Sequence, residues 1–412
     1  MSIVPRLASA NETAAVLGIL SRRSLLSGFA AAVLAPMARV EARQAPVSLL
    51  ALGCVGDGHS DDTVALRKAI DLGIPLTGEG RWYGVRNLRV TPGLDMEDVN
   101  LRAVSPKPVG ALLDVTGPAS VRLARFKIDR AASVGATMER SVALRIIGAS
   151  GVDLEDCEVF GGGTGTGMFL IRCKAVRHQR SSIHDMTWTE TYDPGHGGER
   201  IQGIRHQDCD DVELRDSRLA NLTGSIAGAE AWPYQSDGLV FGNSRKFRVL
   251  GGSATRVGEA IDCAGSGFNS DFLIDGFNTD QTGSFGIKVV SSGQNGMVRN
   301  SVHREPGLAG CVTGGSSGGV PQRNVVFENI KVISPGKNRN PLWAGNLPVG
   351  FWVVPGNGPP AEDISFTGCE AVDDSGSMRY ALRNESSAVV GWTRSKSSGY
   401  AVSETAGPVV SR

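Results

Sequence analysis

The sequence predicts an all-β fold: one right-handed parallel β-helix, closed at its N-terminal end by a short helix. Two observations carry this. The chain holds 54 glycines among 412 residues with only 6% aromatics, a composition that suits many short strands joined by tight turns. Past about residue 140, similar segments recur: a β-branched run, a small turn, a second apolar strand and another turn. Copies begin at Ala143, Gly203, Gly238, Ala260, Gly286, Gly310 and Gly350, with a weaker one at Tyr380. The steps from Gly238 to Ala260, Gly286 and Gly310 are 22, 26 and 24 residues, and longer steps of 36 and 35 residues from Gly167 to Gly203 and on to Gly238 leave room for loops. A period in the low twenties with several short strands per turn means a stacked solenoid. The Leu-x-x-Leu-x-Leu frame of leucine-rich repeats and the 3.6 spacing of helical repeats are both missing.

Taken in order, the elements are these. "SRRSLLSGFAAAVLAPMARVEA" combines Arg22 and Arg23 with an apolar run from Leu25 to Leu34 and small residues after it. That is the build of an export signal, and the arginine pair resembles the twin-arginine type. Residues 1–42 are read as the signal, with cleavage after Ala42, and residues 43–412 as a mature periplasmic or secreted β-helix. No other stretch is long and apolar enough to span a bilayer, so no membrane insertion is expected of the mature form. Twin-arginine export carries folded cargo, so disulfides are not implied. The seven cysteines include no C-x-x-C pair and read as small buried hydrophobes.

A capping segment follows over about 47–75. "GCVGDGHSDDTVALRKAID" from Gly53 opens a helix with Ser60 or Asp61 as N-cap, an apolar face of Val64, Ala65, Ile70 and Leu72, and Gly73 as terminator. A solenoid must cover its first rung, because an open edge invites aggregation. A phosphate-binding loop is excluded. The glycines lack a following Lys-Ser/Thr, and Asp57, Asp61 and Asp62 would repel phosphate.

The rungs occupy about 85–400. Counting each copy's first residue as zero, positions one and three are apolar: Leu239 and Phe241, Ile261 and Cys263, Ile287 and Val289, Phe351 and Val353. They should fill the interior, with positions zero and two facing out. A packed interior leaves no pocket, so function is expected on an outer face walled by long loops. The longest departures from the repeat are 187–202, 224–236 and 335–349. The first two carry Trp188, Tyr192, Trp232 and Tyr234, aromatic faces suited to stacking on sugar rings. Lysine plus arginine equals aspartate plus glutamate at 42 each. No bulk charge therefore argues for a nucleic-acid partner, and the partner expected is a polysaccharide.

The outward residues supply candidate chemistry. Gln202, Asp237 and Glu259 stand one position before their copies, and Arg205, Asp262 and Lys288 stand at position two. Stacking places Asp237 and Glu259 roughly 5 Å apart, with Asp262 along the strand. Like charges this close separate their pKa values, so one group can serve as acid and another as base or nucleophile. Acid-assisted glycoside cleavage needs that division. Lys288 and Arg205 would hold the substrate. A second constellation is "YDPGHGGER", where His196 or Tyr192 could abstract a proton beside a carboxylate neutralised by Arg200, Arg205 or Lys288. No cofactor is required. "HQDCDD", His206 to Asp211, offers three carboxylates as a place for calcium, with an ordinary turn as the other reading.

"LGCVGDGHSDDTVALRKAIDLG" resembles the N-terminal signature of the pectin-lyase-like β-helix superfamily, and with the rungs the resemblance covers about residues 47–400. It implies the fold and leaves the chemistry open. With the twin-arginine signal, the chain also resembles exported bacterial β-helix repeat proteins. "QSDGLVF" resembles the polygalacturonase Asn-Thr-Asp-Gly motif, with Asp237 on its aspartate. One rung on, "VGEAID" sets Gly258 and Glu259 on that family's paired aspartates, and Phe285 stands where its histidine should be. These departures argue against a polygalacturonase and leave acid chemistry on a different sugar open. "YDPGHGGER" resembles a stretch of mannuronan epimerases and related lyases, with an extra glycine and a shortened tyrosine spacing. The reading favoured is a glycoside hydrolase, with Asp237 and Glu259 sharing the acid and base or nucleophile roles and Asp262 assisting. A uronate lyase or C5-epimerase is the second reading, and a non-catalytic polysaccharide-binding β-helix the third.

Overall fold

The structure is a computed structural model. It describes residues 44–412 apart from short stretches at 92, 105–109, 132–140, 188–200, 227–228, 232–235, 264–267, 291–292, 318–319, 339–344, 356–357, 399, 405–408 and 412. The export-signal reading on 1–42 lies outside the described residues. None of the described helices is long and apolar enough to cross a membrane.

Three long sheets wind through Gln44–Arg412. Sheet A runs from Val47–Ser48 to Val409–Ser411, sheet B from Asp57–Asp61 to Glu370–Val372, and sheet C from Leu88–Val90 to Ala401–Glu404. Along each path, every strand pairs in parallel with the corresponding strand one coil earlier and one coil later, as in the steps Ile201–Gln207, Ser236–Gly242, Glu259–Cys263 and Phe285–Val290 of sheet C. This is the predicted parallel β-helix. One continuous core fills it, including Leu239, Phe241, Ile261, Cys263, Ile287, Val289, Phe351 and Val353, so the position-one and position-three residues face inward as expected. All seven cysteines are buried free thiols. An aromatic file runs through the same interior: His178, His206, Phe241, Phe247 and Phe272, with successive centroids 5.2, 5.1, 4.1 and 5.1 Å apart.

The cap differs in detail from expectation. The helix is Thr63–Ile70 with Asp62 at the N-cap position, and it buries Leu66, Ala69 and Ile70. Val64 and Leu72 are exposed instead. Asp62 makes no helix-capping side-chain bond. Its carboxylate accepts from the Val55 and Gly56 amides at 2.6 and 3.1 Å, tying down the glycine loop, while Asp61 accepts from Thr63. The Val55 and Gly56 amides of the glycine loop are therefore taken by a protein carboxylate.

Position zero is a second correction. A Cβ on Gly203 would sit 2.5 Å from the Leu219 side chain, and one on Gly310 2.2 Å from Val332, both core residues. Position zero therefore faces in, and Ala260 lies in the core beside Ile261. The paired register runs from Asp237–Glu259 to Leu239–Ile261, passing over the residue between. Two successive inward residues interrupt the alternation, which turns Asp237 and Glu259 to the outer wall along with Asp262. Gly203→Ala should thus cost about 1–3 kcal/mol through overpacking, read as a lower urea midpoint.

Stacking at about 4.8 Å brings side chains of successive coils face to face, where like charges destabilise. The outer ladders obey this. Asp153 stacks between Arg122 and Arg177, and Glu213 between Arg177 and Arg248. Arg299 lies between Asp275 and Glu328, and Lys331 pairs with Glu370. At one corner the left-handed residues Asp98, Arg125, Asp156 and Arg180 also alternate in sign, with Arg125 and Arg180 each 2.6 Å from the preceding aspartate.

Candidate active site

Two outward ladders on sheet C cross the candidate residues. One runs Thr166, Gln202, Asp237, Glu259, Phe285 and Ala309. The other runs Phe169, Arg205, Val240, Asp262, Lys288, Val312, Trp352 and Arg383. Where they run side by side, one oxygen from each of Asp237, Glu259 and Asp262 lies within 4.8 Å of the others. Lys288, one coil on, donates from Nζ to Glu259 Oε2 at 2.9 Å and to Asp262 Oδ2 at 3.4 Å. Among the described register pairs, Asp237–Glu259 is the one that stacks like charge on like charge.

The trio is on the outer wall yet nearly sealed. Asp237 and Glu259 are 1% exposed and Asp262 8%, so approach is from the Asp262–Lys288 side. Burial pushes the Asp262 carboxyl above the usual aspartate range, against the opposing pull of Lys288 and Arg205. Arg205 lies 5.0 Å over the Phe169 ring and donates to the side-chain oxygens of Gln202 and Gln207, each at 3.3 Å. It is beside the cluster, and its described hydrogen bonds run to amides.

Sequence reasoning thus placed Asp237, Glu259, Asp262 and Lys288 together, with Arg205 adjacent. His196, Tyr192, Arg200, Trp188, Trp232 and Tyr234 lie outside the described residues. In the segment read as a place for calcium, His206 is turned into the core, with its Nε2 3.2 Å from His178 Nε2. Asp208 accepts from Asn243, Asp211 from Arg177, and Asp210 faces Arg245 and Lys246. These acids serve a turn and two ion ladders. Within the trio itself, the Lys288 ammonium supplies positive charge at the carboxylates.

Sequence reasoning missed what flanks the trio. Phe285, Leu308, Ala309, Val312 and Val349 form a separate buried apolar cluster on this wall, with half-buried Trp352 and Tyr380 against it. Trp352 Nε1 donates to Glu385 Oε2 at 2.7 Å, and the Arg383 guanidinium lies 5.7 Å from the Trp352 ring. Counting to position two of the copy at Gly350 would have found Trp352.

No family model matches the chain, and no curated protein matches it. Among solved structures it is similar to the Dettilon tailspike protein at 14% identity and a TM-score of 0.50, over 89% of this chain and 68% of that one. It is also similar to the A-module of an Azotobacter vinelandii mannuronan C-5 epimerase, at 13% identity, TM-score 0.43, and 89% and 98% coverage. An alginate lyase from Paenibacillus gives 12% identity, TM-score 0.42, and 85% and 96% coverage. With its three all-parallel sheets and the architecture shared with the tailspike, the chain is a right-handed parallel β-helix protein.

Proposed function

We propose that this protein cleaves glycosidic bonds of a polysaccharide at the Asp237–Glu259–Asp262 cluster. The observation that carries the reading is the like-charged stack. The outer ladders otherwise alternate in sign, and here two acids are stacked and removed from water, with a third beside them. Local rules are broken at a cost to stability, and such departures concentrate at functional sites.

The chemistry follows from the environments. Burial raises the Asp262 carboxyl above the usual aspartate range, which makes it the member of the trio suited to protonate the leaving glycosidic oxygen. Asp237 and Glu259 supply the base or nucleophile, and Lys288 holds the geometry across two coils. Relative to the sequence expectation this moves the acid role to Asp262. The close approach of the carboxyl groups is nearer to the roughly 5–5.5 Å of retaining glycosidases than to the wider gap of inverting ones. The structural neighbours include a mannuronan C-5 epimerase and an alginate lyase, and mannuronan and alginate belong in the substrate panel.

The test incubates the protein with neutral and uronic-acid polysaccharides. New reducing ends without ultraviolet absorbance are the expected result. Absorbance from unsaturated ends, or solvent exchange at C5 without new ends, would move the function to proton abstraction. Binding with neither would leave a carbohydrate-binding scaffold.

A further inference from the structure

The coil register sets one pair of the seven buried thiols apart from the rest. Strand Lys174–Gln179 pairs in parallel with Asp210–Arg215, with Lys174 against Asp210. The residues just before these strands, Cys173 and Cys209, therefore hold the same corner position on consecutive coils. The Asp210 amide donates to the Cys173 carbonyl at 3.0 Å, and the Arg245 amide of the next coil donates to the Cys209 carbonyl at 2.9 Å. No other described cysteine has a cysteine at its register position. Cys263 pairs with Val289, and Cys311 with Ile287 and Phe351. Cys157 precedes Glu158, whose partners Lys127 and Ser182 put Phe126 and Ser181 beside it. Cys369 precedes Glu370, whose partner Lys331 puts Ile330 beside it, and Cys54 lies in the cap between the first two strands. Side-chain direction brings the pair together. Cys173 Sγ points at the Ile171 carbonyl and Cys209 Sγ at the Leu170 carbonyl, each at 3.5 Å. These are neighbouring carbonyls of one strand, so the Cys209 thiol leans back onto the coil that carries Cys173. There it hydrogen-bonds the Cys173 sulfur, which lowers the Cys173 thiol to about 7 and raises Cys209 in return.

We infer that Cys173 and Cys209 are a site of covalent cross-linking, joined in the oxidised protein by a disulfide that staples one coil to the next. Stacked coils hold their Cα atoms about 4.8 Å apart, inside the roughly 4.4–6.8 Å that a disulfide spans. The bond forms by two exchanges with an external disulfide such as oxidised glutathione. The Cys173 thiolate attacks one sulfur of the reagent and expels a thiolate. The Cys209 thiolate then attacks the mixed disulfide at Cys173 and expels the second. The reagent is reduced to two thiols, and the two cysteine thiols give up two protons and two electrons in becoming one disulfide. Both side chains are sealed in the wound coil, at 0% and 1% exposure, so the reagent reaches them while that coil is unwound. The closed loop contains the strand Ile201–Gln207, whose Gln202 stacks on Asp237. The staple thus fixes the coil next to the acid cluster without touching the acids.

The test refolds the full chain from denaturant in a mixture of reduced and oxidised glutathione, and in parallel with reductant alone. Oxidative refolding should lower the titratable thiols from seven to five. A non-reducing peptide map should join the peptide of Cys173 to that of Cys209. The cross-linked protein should melt about 5 °C above the reduced one, because the bond closes a loop of 35 intervening residues. Cys209→Ser should lose both the cross-link and the difference in melting, whereas Cys157→Ser should keep them. The peptide map of the unaltered chain decides the matter even where a variant does not fold. Seven thiols after oxidative refolding, or a cross-link mapped to any other pair, would overturn the inference.

Discussion

Asp237→Asn should lower glycan cleavage by about 10²–10⁴-fold and at the same time raise the thermal midpoint. Both follow from one fact of register. Asp237 stacks directly on Glu259, and both are 1% exposed, so their repulsion is poorly screened. An asparagine keeps the shape and removes the repulsion, a gain of up to about 1 kcal/mol. A residue that weakens its fold while serving the reaction gives this opposite pairing of effects. Asp153 is the control. It stacks between Arg122 and Arg177 on sheet A, so Asp153→Asn should lower the midpoint slightly and leave cleavage untouched. Turnover assays and differential scanning calorimetry on both variants decide the matter. A drop in stability for Asp237→Asn with unchanged cleavage would make the cluster an ordinary ion network.

The second large effect is on acid stability. His178, His206 and His303 lie in the interior with almost no exposed surface. Burial lowers His178 and His303 to about 3 and takes His206 well below its usual value. Their neutral rings are used: His178 and His206 share one proton between Nε2 atoms 3.2 Å apart, and His303 Nδ1 is 2.9 Å from Thr279 Oγ1. As pH falls below about 6.5 the unfolded chain takes up protons at all three and the native chain does not. Stability is therefore complete above that pH and is lost downward through the window toward pH 3. Each ring contributes about 1.4 kcal/mol per pH unit, so three contribute about 4 kcal/mol per unit. Urea midpoints at pH 7, 6 and 5 should fall steeply. His303→Gln, destabilised at pH 7 itself, should fall less steeply by one third. A flat profile between pH 7 and 5 would mean that the rings are charged in the native state.

Much of this was legible before any coordinates. Leu239, Phe241, Ile261 and Cys263 reported the interior because apolar residues two apart on a strand share a face. Asp237, Glu259, Asp262 and Lys288 could be assembled from repeat counting alone, since coil stacking converts a constant offset in the sequence into adjacency. What misled was strict alternation. It sent position zero outward, and only the crowding of Gly203 against Leu219 and of Gly310 against Val332 shows that two successive residues face in. The helix face failed for a similar reason. Val64 and Leu72 fit a helical stripe, but the first coil lies under Leu66, Ala69 and Ile70, and an eight-residue helix is too short for its own periodicity to decide. Burial of the acids was not readable either, because a one-dimensional repeat says which wall a side chain is on and nothing about what shelters it.

The sign alternation along sheet A has a consequence for how such a chain can change length over evolution. Excising the single coil that carries Arg177 would set Asp153 against Glu213, and the same cut at the corner, through Arg180, would set Asp156 against Asp216. Removing that coil together with the one before it would set Arg122 against Glu213 and Arg125 against Asp216, restoring opposite partners at both places. Electrostatics on this wall therefore favours losing coils in pairs over losing one, by up to about 1 kcal/mol for each like-charged contact avoided.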